Sequence, residues 1–194
     1  MKCLCKALLA VFVFPFWVGY GLACRVMGPR RAFADSAQWL AILPGILGEY
    51  VRQIFYRWTM ARCERDCCVS FGVLFSHSTA EIGHRVYIGP YCMIGDVTLS
   101  DDVLLASGVS IANGTNQHGT SRLDVPINQQ PGEYPRVTIG EDTWIGERAV
   151  VLADVGAHCV IGAGALVLEP IPDFAVAVGV PARVVKMRNE PNTK

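Results

Sequence analysis

The sequence predicts an all-β solenoid, a parallel β-helix, preceded by an apolar and mainly helical segment that associates with a membrane. Three observations carry this. Apolar residues recur every six positions between Ile82 and Val167, a glycine or alanine follows most of them, and Ala7 to Cys24 is an uncharged apolar run. An amphipathic helix repeats its apolar positions about every 3.6 residues and a half-buried strand about every two, so a period of six belongs to neither. It suits a short strand followed by a tight turn, with a branched residue pointing inward and a small one permitting the bend. Three such units close a triangular coil, and coils of this kind are stable only when stacked.

The first region expected is residues 1–68. The run from Ala7 to Cys24 is as long as a membrane helix, but Pro15 interrupts it. Lys2 and Lys6 precede it while Arg25, Arg30 and Arg31 follow, and basic flanks on both sides fit a hairpin or re-entrant segment with both ends in the cytosol. Trp39 to Gly48 is too short to span and carries Pro44 and Gly45, so it reads as a dip into the membrane interface. Leu47, Val51, Ile54, Phe55 and Trp58 then fall at helical spacing, with Arg52, Arg57, Arg62 and Arg65 adding positive charge, as in a basic amphipathic helix on an anionic surface. A cleaved signal peptide and a soluble helical cap are the competing readings of this segment.

The second region, residues 69–188, holds the repeat. Ile82, Ile88 and Ile94 are succeeded by Leu99, Leu105 and Ile111, then by Ile139, Ile145 and Val151, and by Val155, Ile161 and Val167. The interval from Val151 to Val155 is two residues short and predicts a tightened corner. Residues 113–136 interrupt the register with a stretch rich in Gly, Pro, Asn and Gln, and a loop of this length within a regular scaffold signals function. His118 is its only histidine. His84 and His158 take outward coil positions and read as solvated turns, and His77, ahead of the first coil, reads as structural. Residues 189–194 form a tail.

Composition limits the partners. Lysine plus arginine and aspartate plus glutamate are 17 each, so no global basic field attracts nucleic acid. The eight cysteines contain no C-x-x-C pair and read as reduced, mostly buried thiols of a cytosolic protein, with Cys63, Cys67 and Cys68 packing near the domain entry. No metal site is expected.

The ordered set of the histidine loop, "PRVTIGEDTWIGERAVVLADVGAHCVIGAGALV" and "AVGVPARVVKMR" resembles the hexapeptide-repeat acyltransferases, in particular the galactoside, maltose and xenobiotic O-acetyltransferase group and its polysaccharide-biosynthesis members. The resemblance implies a left-handed coil, a hand opposite to the general preference of parallel crossovers, and a homotrimer with active sites between subunits. It also implies acetyl-CoA as co-substrate and a sugar or glycan hydroxyl, or an amine, as acceptor. Carried over by position, the catalytic base is His118, whose imidazole suits general-base work. Glu133 and Asp124 are both available to orient it. The coenzyme contacts fall on Trp144, Ala163, Pro181, Arg183 and Lys186. The sequence departs from the group at Leu168 and Glu169, near the coenzyme, and at Gly89, where galactoside enzymes carry an acceptor-binding asparagine. The expectation is an acetyltransferase at the inner face of the membrane, acting in surface polysaccharide or lipid-linked glycan biosynthesis. The alternatives are a soluble small-molecule or antibiotic acetyltransferase, a metal hydratase resembling the γ-carbonic anhydrases, and a non-catalytic scaffold.

Overall fold

The computed structural model describes residues 2–190, with side chains from Leu9 onward. The expectations for the side chains of Lys2, Cys3, Cys5 and Lys6, and for residues 191–194 of the tail, lie outside the described residues. The sixfold series becomes a parallel β-solenoid of six turns. Its first sheet stacks Arg62–Cys63, Glu81–Ile82, Val97–Leu99 and Val137–Ile139, extended by single bridges to Val155 and Ile171. The second stacks Cys68–Val69, Tyr87–Ile88, Leu104–Leu105, Trp144–Ile145, Val160–Ile161 and Ala175–Val178, and the third Leu74–Phe75, Met93–Ile94, Ser110–Ile111, Val150–Val151 and Leu166–Val167. Arg183–Met187 closes the second sheet as an antiparallel edge on Ala175–Val178.

Every apolar member of the series from Ile82 to Val167 is at most 2% exposed. Most residues two positions earlier, among them Val86, Val103, Val109 and Ala149, are buried with them. Each strand pair places like on like, Ile88 beside Leu105 and Leu105 beside Ile145, so the interior is a set of columns. The coil begins ahead of residue 69: Arg62–Cys63 already pairs with Glu81–Ile82, and Cys63, Val69 and Phe75 continue the count of six upstream. The short interval after Val151 is a corner in which Asp154 Oδ1 accepts the Thr138 N–H at 2.7 Å.

Three helices cap the first turn. α1 (Lys2–Met27) runs through Pro15 without reversing, so the expected break or hairpin is not formed. Proline costs the helix one backbone bond, and packing outweighs it. Val13 is buried, the Phe16 and Tyr20 rings meet Phe55, and Trp17 meets Trp58. The other side of α1 leaves Val11, Phe12, Phe14, Val18, Leu22 and Val26 exposed, and Leu9–Met27 is long and apolar enough to cross a membrane. α2 (Pro29–Ala41) turns back along α1, and α3 (Gly45–Thr59) follows after a tip exposing Trp39, Ile42, Leu43, Ile46 and Leu47.

α3 does not present the expected basic face. Arg62 and Arg65 lie beyond its end, and Arg52 is fully buried. The guanidinium donates from Nε to Val69 O at 2.9 Å and from Nη1 to Leu40 O and Leu43 O at 3.0 and 2.7 Å. It joins the end of α2, the α2–α3 connection and the first coil. A helix buried on two sides, by α1 and by the coil, needs polar groups that meet backbone carbonyls, and a single hydropathy stripe does not disclose them. Beside it, Cys63 and Cys67 are buried with sulfurs 3.5 Å apart, as packing at the domain entry requires.

Removing this guanidinium leaves the buried Val69 carbonyl without its donor and unties the α2–α3 connection from the coil. Arg52→Leu is expected to lower the unfolding free energy by about 2–4 kcal/mol, read as a reduced midpoint in urea with the circular-dichroism spectrum of the native coil retained in water.

Candidate active site

The loop 113–136 leaves the third sheet after Ile111 and rejoins the first at Val137. Its neck is closed by buried Asn113, whose Oδ1 accepts the Asp96 N–H at 2.9 Å while its Nδ2 donates to Asp96 O and Pro135 O at 2.7 and 2.9 Å. Arg136 straps the exit to the first sheet through Glu81 at 2.7 Å and Thr79 O at 2.9 Å. Within the loop, buried Gln130 donates to Arg122 O and Val125 O and accepts the Arg122 N–H. A segment with no regular structure beyond the one 3-10 turn Ile127–Gln129 is thereby folded by side-chain amides.

His118 is exposed near this folded base, its ring edge-on to Tyr134 with centroids 6.4 Å apart. Neither expected carboxylate orients it. Asp124 is drawn into a two-point pair with Arg122, which holds its carboxyl below the usual carboxylate range, and Glu133 makes no hydrogen bond to the imidazole. The competing cation two residues away captures Asp124, and loop spacing alone gives no sign of that choice.

A groove of about 460 Å³ runs from this loop along the third sheet to α2. Its polar lining includes Arg30 and Gln38 of α2, Ser76, His77, Gln117 and Tyr134. The sequence reading missed these residues as a set and took His77 as structural, because α2 folding over the third sheet leaves no trace in local spacing. His77 accepts or shares a proton with Ser76 Oγ at 2.8 Å, and burial, then the charge of Arg30, pushes its pKa below the ordinary histidine value. Gly89 explains one departure: a Cβ there would come 2.8 Å from the Ala106 carbonyl carbon and 2.9 Å from Leu105 O, so the next turn leaves no room for an asparagine.

The expected coenzyme residues gather on another side. Trp144, half exposed, lies on the second sheet in register with Val160, Val160 with Val176, and Val176 with Lys186, so Trp144 and Lys186 mark two ends of one outward row. Ala163 is exposed at the turn after Val160–Ile161, Pro181 follows a cis peptide bond after Val180, and Arg183 pairs with Val178. No hydrogen bond, ion pair or ring contact among the described residues joins any of the five to His118. His84 sits by Asp66 and Glu64, and His158 by Asp142 while stacked on Phe174, as outward turn residues do. Among the described residues, no three of His, Cys, Asp or Glu gather as metal ligands.

Residues 136–169 match the family described as bacterial transferase hexapeptide (six repeats). A Mycobacterium tuberculosis protein named "Probable acetyltransferase" is 38% identical over 118 residues, 60% of this chain and 33% of its own length. The chain thus spans about a third of that curated relative. Among solved structures, a maltose O-acetyltransferase from Clostridium difficile superposes with a TM-score of 0.71 at 22% identity, covering 83% of this chain and 87% of its own. A galactoside acetyltransferase in complex with coenzyme A gives 0.61 at 23%, covering 82% and 81%. The two structures share the fold.

His77 gives the groove a pH signature. The folded state favours the neutral ring, so its contribution to stability is complete above the ordinary histidine value of about 6.5 and is lost as pH falls through the lower, folded value. Proton NMR should show His77 titrating below that ordinary value, and Arg30→Gln should move it part of the way back up, burial supplying the remainder.

Proposed function

We propose that this hexapeptide-repeat solenoid, a relative of the sugar O-acetyltransferases, transfers the acetyl group of acetyl-CoA to a sugar hydroxyl of a surface glycan, with His118 as general base. The observation that carries the reading is the long insertion in the repeat, a loop closed at its neck by Asn113 and Arg136 that holds out one histidine. A relative named as an acetyltransferase and folds shared with maltose and galactoside enzymes, one holding coenzyme A, supply the reaction class.

In this mechanism the acceptor oxygen attacks the thioester carbonyl while His118 takes the hydroxyl proton. Backbone N–H groups hold the oxyanion. Its collapse breaks the carbon–sulfur bond, and the thiolate of coenzyme A leaves with the proton returned by the imidazolium. Trp144, Ala163 and Pro181 line the pantetheine path, and Arg183 and Lys186 meet coenzyme phosphates. His118 and these five residues lie on different sides of one chain, which favours a homotrimer whose neighbouring subunits complete each site. The apolar face of α1 and the tip from Trp39 to Leu47 would keep the enzyme at the cytosolic membrane surface.

The test is release of free coenzyme A from acetyl-CoA with glycan acceptors. His118→Ala should reduce kcat by about 10²–10⁴-fold with coenzyme binding intact by calorimetry. Arg183→Ala combined with Lys186→Ala should weaken that binding by about tenfold or more. A wild-type chain that binds no acetyl-CoA, or a His118→Ala chain of full activity, would refute the reading.

A further inference from the structure

Two cavities meet along α2. The 460 Å³ groove reaches from Gln117 and Tyr134 to Arg30, and a second, of about 510 Å³, shares Arg30, Ala34 and Ser76 with it and continues through Arg31 to Met27. Together they form one path from the histidine loop to the end of the exposed apolar helix α1. Its chemistry changes along the way. At the α1 end stand Arg30 and Arg31, neither in an ion pair with a carboxylate among the described residues. In the middle the polar groups are uncharged: Ser76, Gln38, His77 and Gln117. Beyond Met27 the surface is the apolar side of α1, in a stretch only 6% buried.

We propose that the acceptor is an amphiphile, a sugar joined through a phosphate to a lipid, with the phosphate between Arg30 and Arg31, the sugar in the groove and the lipid along α1. This rests on the acetyltransferase reading and names the acceptor of that same site. Paired guanidinium groups suit the dispersed charge of a phosphate. Amides, a hydroxyl and a neutral imidazole suit the donors and acceptors of a sugar ring. Arg30 to Gln38 covers about 12 Å along α2, which leaves room for a sugar unit between the cations and the loop. The apolar helix beginning where the cations end keeps the lipid in or beside the bilayer while the sugar is presented to His118.

The test uses the full chain in a neutral polyoxyethylene detergent, with farnesyl phosphate as probe and farnesol, inorganic phosphate and phosphatidylglycerol vesicles as comparisons, all by calorimetry. Acetyl-CoA binding is measured on each preparation. Farnesyl phosphate should bind about tenfold or more tightly than farnesol or inorganic phosphate. Arg30→Gln with Arg31→Gln should remove that advantage, while His118→Ala keeps it and acetyl-CoA binding is unchanged in both. Equal binding of farnesol, equal binding of inorganic phosphate, no effect of the arginine pair, or equal displacement by phosphatidylglycerol would each overturn the proposal; the last would make the arginines a general membrane contact. Failure of the wild-type chain to bind acetyl-CoA would instead overturn the acetyltransferase reading on which it rests.

Discussion

The stacking of one turn on the next is the constraint on which the rest of this structure depends. A two-residue strand has almost no stability of its own, yet here each inner one is hydrogen-bonded to the turns above and below, and its inward residue lies in a column that excludes water. Ile88, Leu105, Ile145 and Ile161 form one such column, each fully buried. Because the coil is rigid and periodic, an insertion can leave it only at a corner, and the register must be recovered on the far side. The 113–136 loop meets this requirement: Asn113 and Pro135 are joined across its neck, and Val137 re-enters in register with Val97.

The helical cap answers the other demand of a stacked fold, which is an end. The first turn would otherwise present unpaired strand edges and a bare layer of Cys63, Val69 and Phe75. α3 covers that end, its Tyr56 ring edge-on to Phe75, and Arg52 donates to Val69 O, a strand carbonyl with no strand beyond it. α1 in turn covers α3 with only part of its surface. Its remaining apolar side stays exposed on a helix long enough to cross a membrane, and α2, held between α1 and the third sheet, becomes one wall of the groove beside the histidine loop.

Much of this is legible in the residues. The sixfold series is a direct imprint of burial, and every apolar member assigned from Ile82 onward faces the interior. The upstream turn is written in the same spacing, but as Cys63, Val69 and Phe75 next to helical periodicity, so the count of six is harder to separate from its neighbour. What spacing does not hold is the choice among long-range partners. Arg52 reads as a surface cation until the end of α2, the α2–α3 connection and the coil enclose it, Pro15 reads as a break until aromatic packing outweighs one lost bond, and Asp124 reads as a partner for His118 until Arg122 captures it. The groove is the strongest case, because its lining comes from five separated stretches of the chain, residues 30–38, 74–77, 93–95, 110–117 and Tyr134.

In the proposed reaction one chain carries the base on its loop and the coenzyme residues on its second sheet and the turns beside it, and a neighbouring copy completes the site. Coexpression of two separately inactive chains, His118→Ala and the Arg183→Ala, Lys186→Ala double variant, tests it most directly. Random trimers of the two should recover about a quarter of wild-type acetyl transfer, because a neighbour supplies the intact partner at that fraction of interfaces. Mixed assemblies, verified by affinity tags on both chains, that stay as inactive as either parent would contradict a site shared between subunits.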